Sequence, residues 1–188
     1  MPKGNLGVVA AAAVGGTAAQ LGGGKFANGA ITGAFSYATN AGARNLQRSL
    51  VDRTITIDGT NEADMAKVRE ALKLVEATPR GRELLEMQLA TGKMLEIKVG
   101  DMYVGNSAYA GGPMHINPNY REQILTADGP IWASFERIVG HELGHAVTGV
   151  MYEPHNIALN ENPIASQFNP PQPERTRPWC GLPCGNKW

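Results

Sequence analysis

The sequence has no surplus of positive charge: seventeen Lys and Arg face seventeen Asp and Glu, for a formal net charge of zero. A large nucleic-acid footprint needs a basic excess to neutralise phosphate, so nucleic acid is not an expected partner. Long apolar runs are also missing. No stretch of 18 or more strongly apolar residues appears, which argues against a conventional membrane span. The N-terminus is a poor secretory signal, because Lys3 is the only early charge and no clear cleavage boundary follows the apolar run. Export is therefore expected to rely on another carrier. Cysteine is scarce, with only Cys180 and Cys184. Two thiols cannot complete a tetrahedral zinc site, and their spacing is not C-x-x-C, so a local disulfide or two free thiols is expected.

What is present divides near residue 50. The length of 188 residues, 43% of them hydrophobic, suits one ordinary domain plus an appendage. Residues 6 to 43 are almost wholly small or uncharged, with Lys25 the only charge. Small residues recur at helical spacing, as in Ala19 with Gly23, Gly29 with Gly33 and Ala30 with Ala34. The run Gly22-Gly23-Gly24-Lys25 is not a phosphate loop, since Ala19 and Phe26 replace the required Gly and Ser/Thr. Residues 1–50 therefore read as a Gly/Ala-rich connector and 51–188 as the working domain.

The second part patterns as α+β. A β-branched strand over 54 to 57 ends in Asp58-Gly59. Asn61 caps a helix with the apolar stripe Met65, Val68, Leu72 and Val75, and Pro79 opens another that stops at Gly92. Residues 94 to 99 alternate as a half-buried strand does, and 102 to 104 could return as its hairpin partner. Residues 114 to 117 make a further strand, a candidate sheet edge for pairing with substrate. A long helix is expected from about 132 to 152, with Pro154 preventing its continuation and a second helix starting near His155. The tail from Asn169 is proline-rich and irregular.

The chemistry concentrates in Val139-Gly-His141-Glu142-Leu-Gly-His145-Ala-Val. Residues four apart on a helix share a face, so His141 and His145 can bind one ion. Glu142 lies about 100° around the helix, where it can reach a water on that ion but not join the ligand set. Zinc lowers the pKa of such a water to about 7, and Glu142 can then act as general base. A chance His-Glu-x-x-His on an amphipathic helix is the competing explanation. Burying two histidines and a glutamate in so apolar a helix would be costly without a metal or partners. Gly140 and Gly144 suggest close approach of a strand or substrate.

A catalytic zinc needs a third protein ligand. Glu153, His155, Glu161 and Glu174 lie downstream. On a continuous helix Glu153 would sit roughly 12 Å from His145 by axial rise, too far to share the ion. His155 does not fit H-E-x-x-H-x-x-G-x-x-H, because Thr148 and Met151 stand at its Gly and final His positions. Glu161, on a second helix turning back after Pro154, is favoured over His155. Tyr152, His155 and Arg175 are candidates for stabilising an oxyanion on the attacked carbonyl.

Two resemblances accompany these residues. Asn160-Glu161-Asn162 is similar to the segment that supplies the third ligand in gluzincin peptidases, and residues about 52 to 176 resemble effector-type (NleD-like) zinc metallopeptidases. Residues about 14 to 41 resemble the segment preceding the toxin tip in Rhs and hemagglutinin-type polymorphic toxins. The resemblance implies a zincin-like fold, with a small mixed or antiparallel sheet packed on the active-site helix and a second helix supplying the third ligand. It implies zinc on His141, His145 and Glu161, catalysis by Glu142, and Arg175 as the arginine of the family's tail. It further implies delivery from a bacterium into a target cell, cleavage of a protein there, and a cognate immunity protein or delivery-protein shell. Two alternatives stand beside it: a zinc amidase acting on a non-protein amide such as cell-wall peptide, and a membrane-active fragment working through the Gly/Ala segment.

Overall fold

A computed structural model describes residues 48–101 and 105–177. Residues 1–47 of the connector, the expected return strand over 102–104, and Cys180 and Cys184 lie outside the described residues. The unit that carries the elements begins at Ser49. Among the described residues, no helix is long and apolar enough to cross a membrane.

The elements run α1 (Leu50–Thr54), β1 (Ile55–Gly59), α2 (Glu62–Glu76), α3 (Pro79–Ala90), β2 (Leu95–Val99), β3 (Ser107–Ala108), β4 (Met114–Ile116), β5 (Gln123–Thr126), β6 (Gly129–Trp132), α4 (Phe135–Thr148) and α5 (Glu153–Asn156). A π-helical turn, Ile157–Glu161, and α6 (Asn162–Ser166) follow. The fold is thus a mixture of helices and a small sheet, as the patterning indicates. Local signals act as expected: the Asn61 side chain accepts from the Ala63 and Asp64 amides, and Pro79 opens α3. Gly92, at φ 68°, follows the end of α3 and takes a conformation that costs a side chain energy.

The main sheet has the order β1-β2-β4-β3, in which β2 pairs parallel with β1 and with β4, and β3 pairs antiparallel with β4. Strand β2 therefore sits inside the sheet, with Ile97 opposite both Ile57 and Met114. Residues 114–116 are likewise internal rather than an edge, because β3 covers them. A separate hairpin, β5–β6, ends at Trp132, where the expected long helix was to begin. Buried Val68, Leu72 and Val75 of α2, Leu84 and Leu85 of α3, and Ile97, Met114 and Ile116 of the sheet close the core with Val139 and Leu143 of α4.

The largest departure from expectation is the length of α4. It starts at Phe135, where the Ser134 hydroxyl accepts from the Arg137 amide, and ends at Thr148. Gly149, at φ 70°, adopts the left-handed cap and turns the chain before Pro154 is reached. The chain then doubles back through α5 and the π-turn and packs against the glycines of α4. A Cβ on Gly140 would meet Ile164 methyls at 3.2 Å, and one on Gly144 would lie 2.5 Å from Asn156 Oδ1 and 2.6 Å from Asn160 Cβ. What approaches these glycines is the returning helical segment, not a strand or a substrate.

Overpacking costs about 1–3 kcal/mol, whereas replacing a helical glycine by alanine gains up to about 1 kcal/mol. Gly144→Ala is expected to destabilise the chelator-treated protein by about that 1–3 kcal/mol in urea denaturation. Gly140→Ala, whose neighbours are side-chain methyls that can shift, should change stability by less than about 1 kcal/mol. Equal stabilities for the two variants would contradict this packing.

Candidate metal centre

Ten consecutive residues of α4, 137 to 146, are buried. Within them His141 and His145 point to one side, as their one-turn spacing requires, with ring centroids 4.7 Å apart. The tautomers follow from what each ring touches. His141 Nδ1 lies 2.8 Å from Glu161 Oε2, and His145 Nδ1 faces the Val150 carbonyl. A carboxylate and a carbonyl can only accept, so each Nδ1 carries the hydrogen and each Nε2 keeps a bare lone pair.

Those two lone pairs face each other, with Nε2 atoms 3.1 Å apart. Glu153 joins them, its Oε1 3.3 Å from His145 Nε2 and its Oε2 3.3 Å from His141 Nε2. Glu153 Oε2 is buried and receives no hydrogen bond. With both rings neutral and their hydrogens on Nδ1, three acceptors converge and repel one another unless a proton or a metal cation lies among them. One ligand atom from each of the three residues lies within 4.8 Å of the others, close enough for all three to reach a single ion. Among the described residues, His141, His145 and Glu153 are the one such group of His, Cys, Asp or Glu side chains. The residues fit a bound metal ion.

Electrostatics agree. Burial acts to lower the His141 imidazole, but hydrogen bonds to Glu153 and Glu161 and the charges of Glu161 and Glu142 push it up to about 10. Burial alone would raise Glu153, yet the hydrogen bonds and charges of His141 and His145 hold it well below the usual carboxylate range. The pocket demands positive charge, which either a proton or a metal ion can supply. Glu142 is 7% exposed, and burial, opposed by His141 and His145 and aided by Glu153 and Glu122, raises it to about 7.

Glu161 stands elsewhere than expected. Its carboxylate lies on Nδ1 of His141, the nitrogen that faces away from the metal group, and its remaining capacity is filled by two arginines. Arg137 Nε donates to Oε1 at 2.7 Å and Arg175 Nη1 to Oε2 at 3.3 Å. Glu161 is 2% exposed, and although burial would raise it, His141, Arg175 and Arg137 keep it low and ionised. The carboxylate that joins the two histidines is Glu153, because α4 stops at Gly149 and the rise along a continuous helix no longer separates it from His145. Glu161 is the carboxylate that orients a ligand histidine.

The candidate oxyanion stabilisers are also placed. Arg175 is buried against Glu161 and Glu122, with Nη2 2.9 Å from Glu122 Oε1. Tyr152 is 62% exposed and stacks edge-on against exposed His155, centroids 4.9 Å apart; neither belongs to the metal group. Glu174 is exposed and also outside it. Two residues gain importance that the sequence did not suggest. Arg137, 1% exposed, also donates to the Pro173 carbonyl and to Asn162 Oδ1. Asn156 donates to the His141 carbonyl at 3.0 Å, and is held in turn by Asn160 and, through Asn160, by Arg80.

No family model, curated protein or solved structure matches the chain.

Two measurements test the centre. With Zn2+ as probe ion, Glu153→Ala and His141→Ala should lose binding by more than about 100-fold, while Glu161→Gln loses about 10–100-fold and keeps one site. Retained binding in Glu153→Ala with none in Glu161→Gln would reverse the two assignments. Because His141 holds a proton up to about pH 10 without metal, binding at neutral pH should release about one proton and tighten as pH rises. Calorimetry in buffers of different ionisation enthalpy reads this directly, and no proton release would contradict it.

Proposed function

We propose that the domain is a zinc-dependent metallopeptidase of zincin-like arrangement, with His141, His145 and Glu153 as ligands and Glu142 as general base. The observation that carries this is the convergence of two imidazole lone pairs and a carboxylate beside a buried glutamate that titrates near neutrality. Two histidines and one carboxylate leave a fourth position open, a donor set that suits catalytic zinc. A zinc ion held by these residues would supply Lewis acidity, lowering the pKa of a water and polarising a carbonyl.

The chain's own residues do the rest. Glu142, raised to about 7, can take a proton from water at neutral pH and return it to the departing amine. Glu161 keeps the His141 ring in one tautomer, and Arg137 and Arg175 keep Glu161 ionised. The Val150 carbonyl does for His145 what Glu161 does for His141. Tyr120 stands within electrostatic reach of the base. Burial raises its hydroxyl, Glu122 and Glu142 add to this, and Arg175 opposes it.

Delivery follows from the sequence rather than from the site. The resemblance of residues about 14 to 41 to polymorphic-toxin connectors supports a secreted or delivered bacterial effector that cleaves a protein in a target cell, countered by an immunity protein. A balanced net charge supports a protein substrate over nucleic acid.

Glu142→Gln is expected to bind zinc and fold as the native protein does while cutting a proteome-derived peptide library at least about 100-fold more slowly by mass spectrometry. Undiminished cleavage by that variant would refute the mechanism. Intact peptides alongside hydrolysed cell-wall peptide would move the assignment to an amidase.

A further inference from the structure

A cavity of about 270 Å³ opens beside the N-terminal part of α4. Its lining combines apolar Pro118, Phe135 and Ile138 with Tyr120 and two cations, Lys67 and Arg121. Helix geometry ties it to the reaction centre. Ile138 lies one turn before Glu142 on the same face of α4, and it also lines a small cavity against His141 and Glu161. The volume falls just below the roughly 300 Å³ at which pockets begin to enclose whole small-molecule ligands, a size for a single side chain.

The charge of this cavity is one-sided. No carboxylate lines it. Lys67 donates to the Pro118 carbonyl and sits 4.7 Å from the centroid of the Phe135 ring, so its ammonium is fixed at the rim with donors to spare. Arg121 is exposed, and its guanidinium offers a planar fork matched to carboxylate. A lining that joins apolar side chains to two exposed cations favours a short aliphatic stem ending in an anion, and disfavours a lysine or arginine stem by like-charge repulsion.

Resting on the peptidase reading of the neighbouring centre, we infer that this cavity is a substrate subsite for a carboxylate-bearing residue next to the scissile bond. The carboxylate is either a Glu or Asp side chain or a free chain end, and the test separates the two.

Fluorescein-labelled peptide pools with one fixed central residue, Glu, Gln or Lys, and either an amidated or a free C-terminus, are titrated into the zinc-loaded full chain by anisotropy. The Glu142→Gln protein is used so that binding is read without turnover. The amidated Glu pool should bind at least tenfold tighter than the Gln pool, and the Lys pool weakest. If only the free terminus raises affinity, the carboxylate is that of a chain end. Arg121→Glu should invert the order in favour of Lys, and Lys67→Gln should reduce the Glu preference several-fold. Equal affinity for all pools, or a Glu preference that survives both substitutions, overturns the subsite. The same pools are then incubated with native protein. Cleavage without preference removes the subsite and leaves the peptidase, whereas preference without cleavage removes the peptidase and leaves a carboxylate-binding cavity.

Discussion

The hydrogen bond from His141 Nδ1 to Glu161 decides which nitrogen of that ring faces the metal group, and much of the domain exists to hold it. A carboxylate 2% exposed would ordinarily take up a proton, and a neutral carboxylic acid could rotate its own hydrogen toward the ring. Arg137 and Arg175 prevent this by compensating its charge inside the protein. Each arginine is anchored at another point, Arg137 by the Pro173 carbonyl and Arg175 by Glu122. The irregular tail after α6 is therefore part of the centre, since it supplies Arg175 and the Pro173 carbonyl. Buried charges linked in this way are strongly interdependent, because removing one partner leaves another unpaired.

The second constraint is the turn at Gly149. A helix running on to Pro154 would carry Glu153 away from the histidines, and His145 would lose the Val150 carbonyl that sets its tautomer. The left-handed cap sends the chain back instead, so that α5 delivers Glu153 to one side of His141 and the π-turn delivers Glu161 to the other. The widened π-turn holds Asn160 and Glu161 buried at adjacent positions with different tasks, one toward Asn156 and Arg80 and the other toward His141. Gly144 makes room for this return, and a side chain there would occupy the space of Asn156 and Asn160.

These points explain what could be read from the residues alone. His141, Glu142 and His145 were legible because one turn of helix fixes their relation regardless of what surrounds them. The carboxylate that joins them was not, since which one reaches the histidines depends on where α4 stops, and two stop signals compete in the sequence. Pro154 is the more conspicuous, but Gly149 acts first, and a Gly followed by a Pro several residues on is a known helix-end signature. Arg137 was hidden for a different reason: an arginine in a helix reads as surface until its buried partner is known. Strand β2 was legible as a strand from its alternation, yet its neighbours were not. Parallel pairing with β1 spans the two intervening helices, and no local turn signal announces it.

The charge inventory around the centre argues for the kind of cation it could hold. Glu122, Glu142, Glu153 and Glu161 bring four carboxylates to the histidines, while Arg137 and Arg175 bring two guanidiniums. With both imidazoles neutral, two negative charges remain, on Glu142 and Glu153. A single proton cannot balance them, although the surrounding carboxylates push His141 up to about 10 and so favour one there. A divalent ion balances both at once. It would satisfy Glu153 directly as a ligand, and by its charge it would favour the ionised form of Glu142, the form a general base requires. Metal binding and ionisation of Glu142 would in this way be a single electrostatic condition.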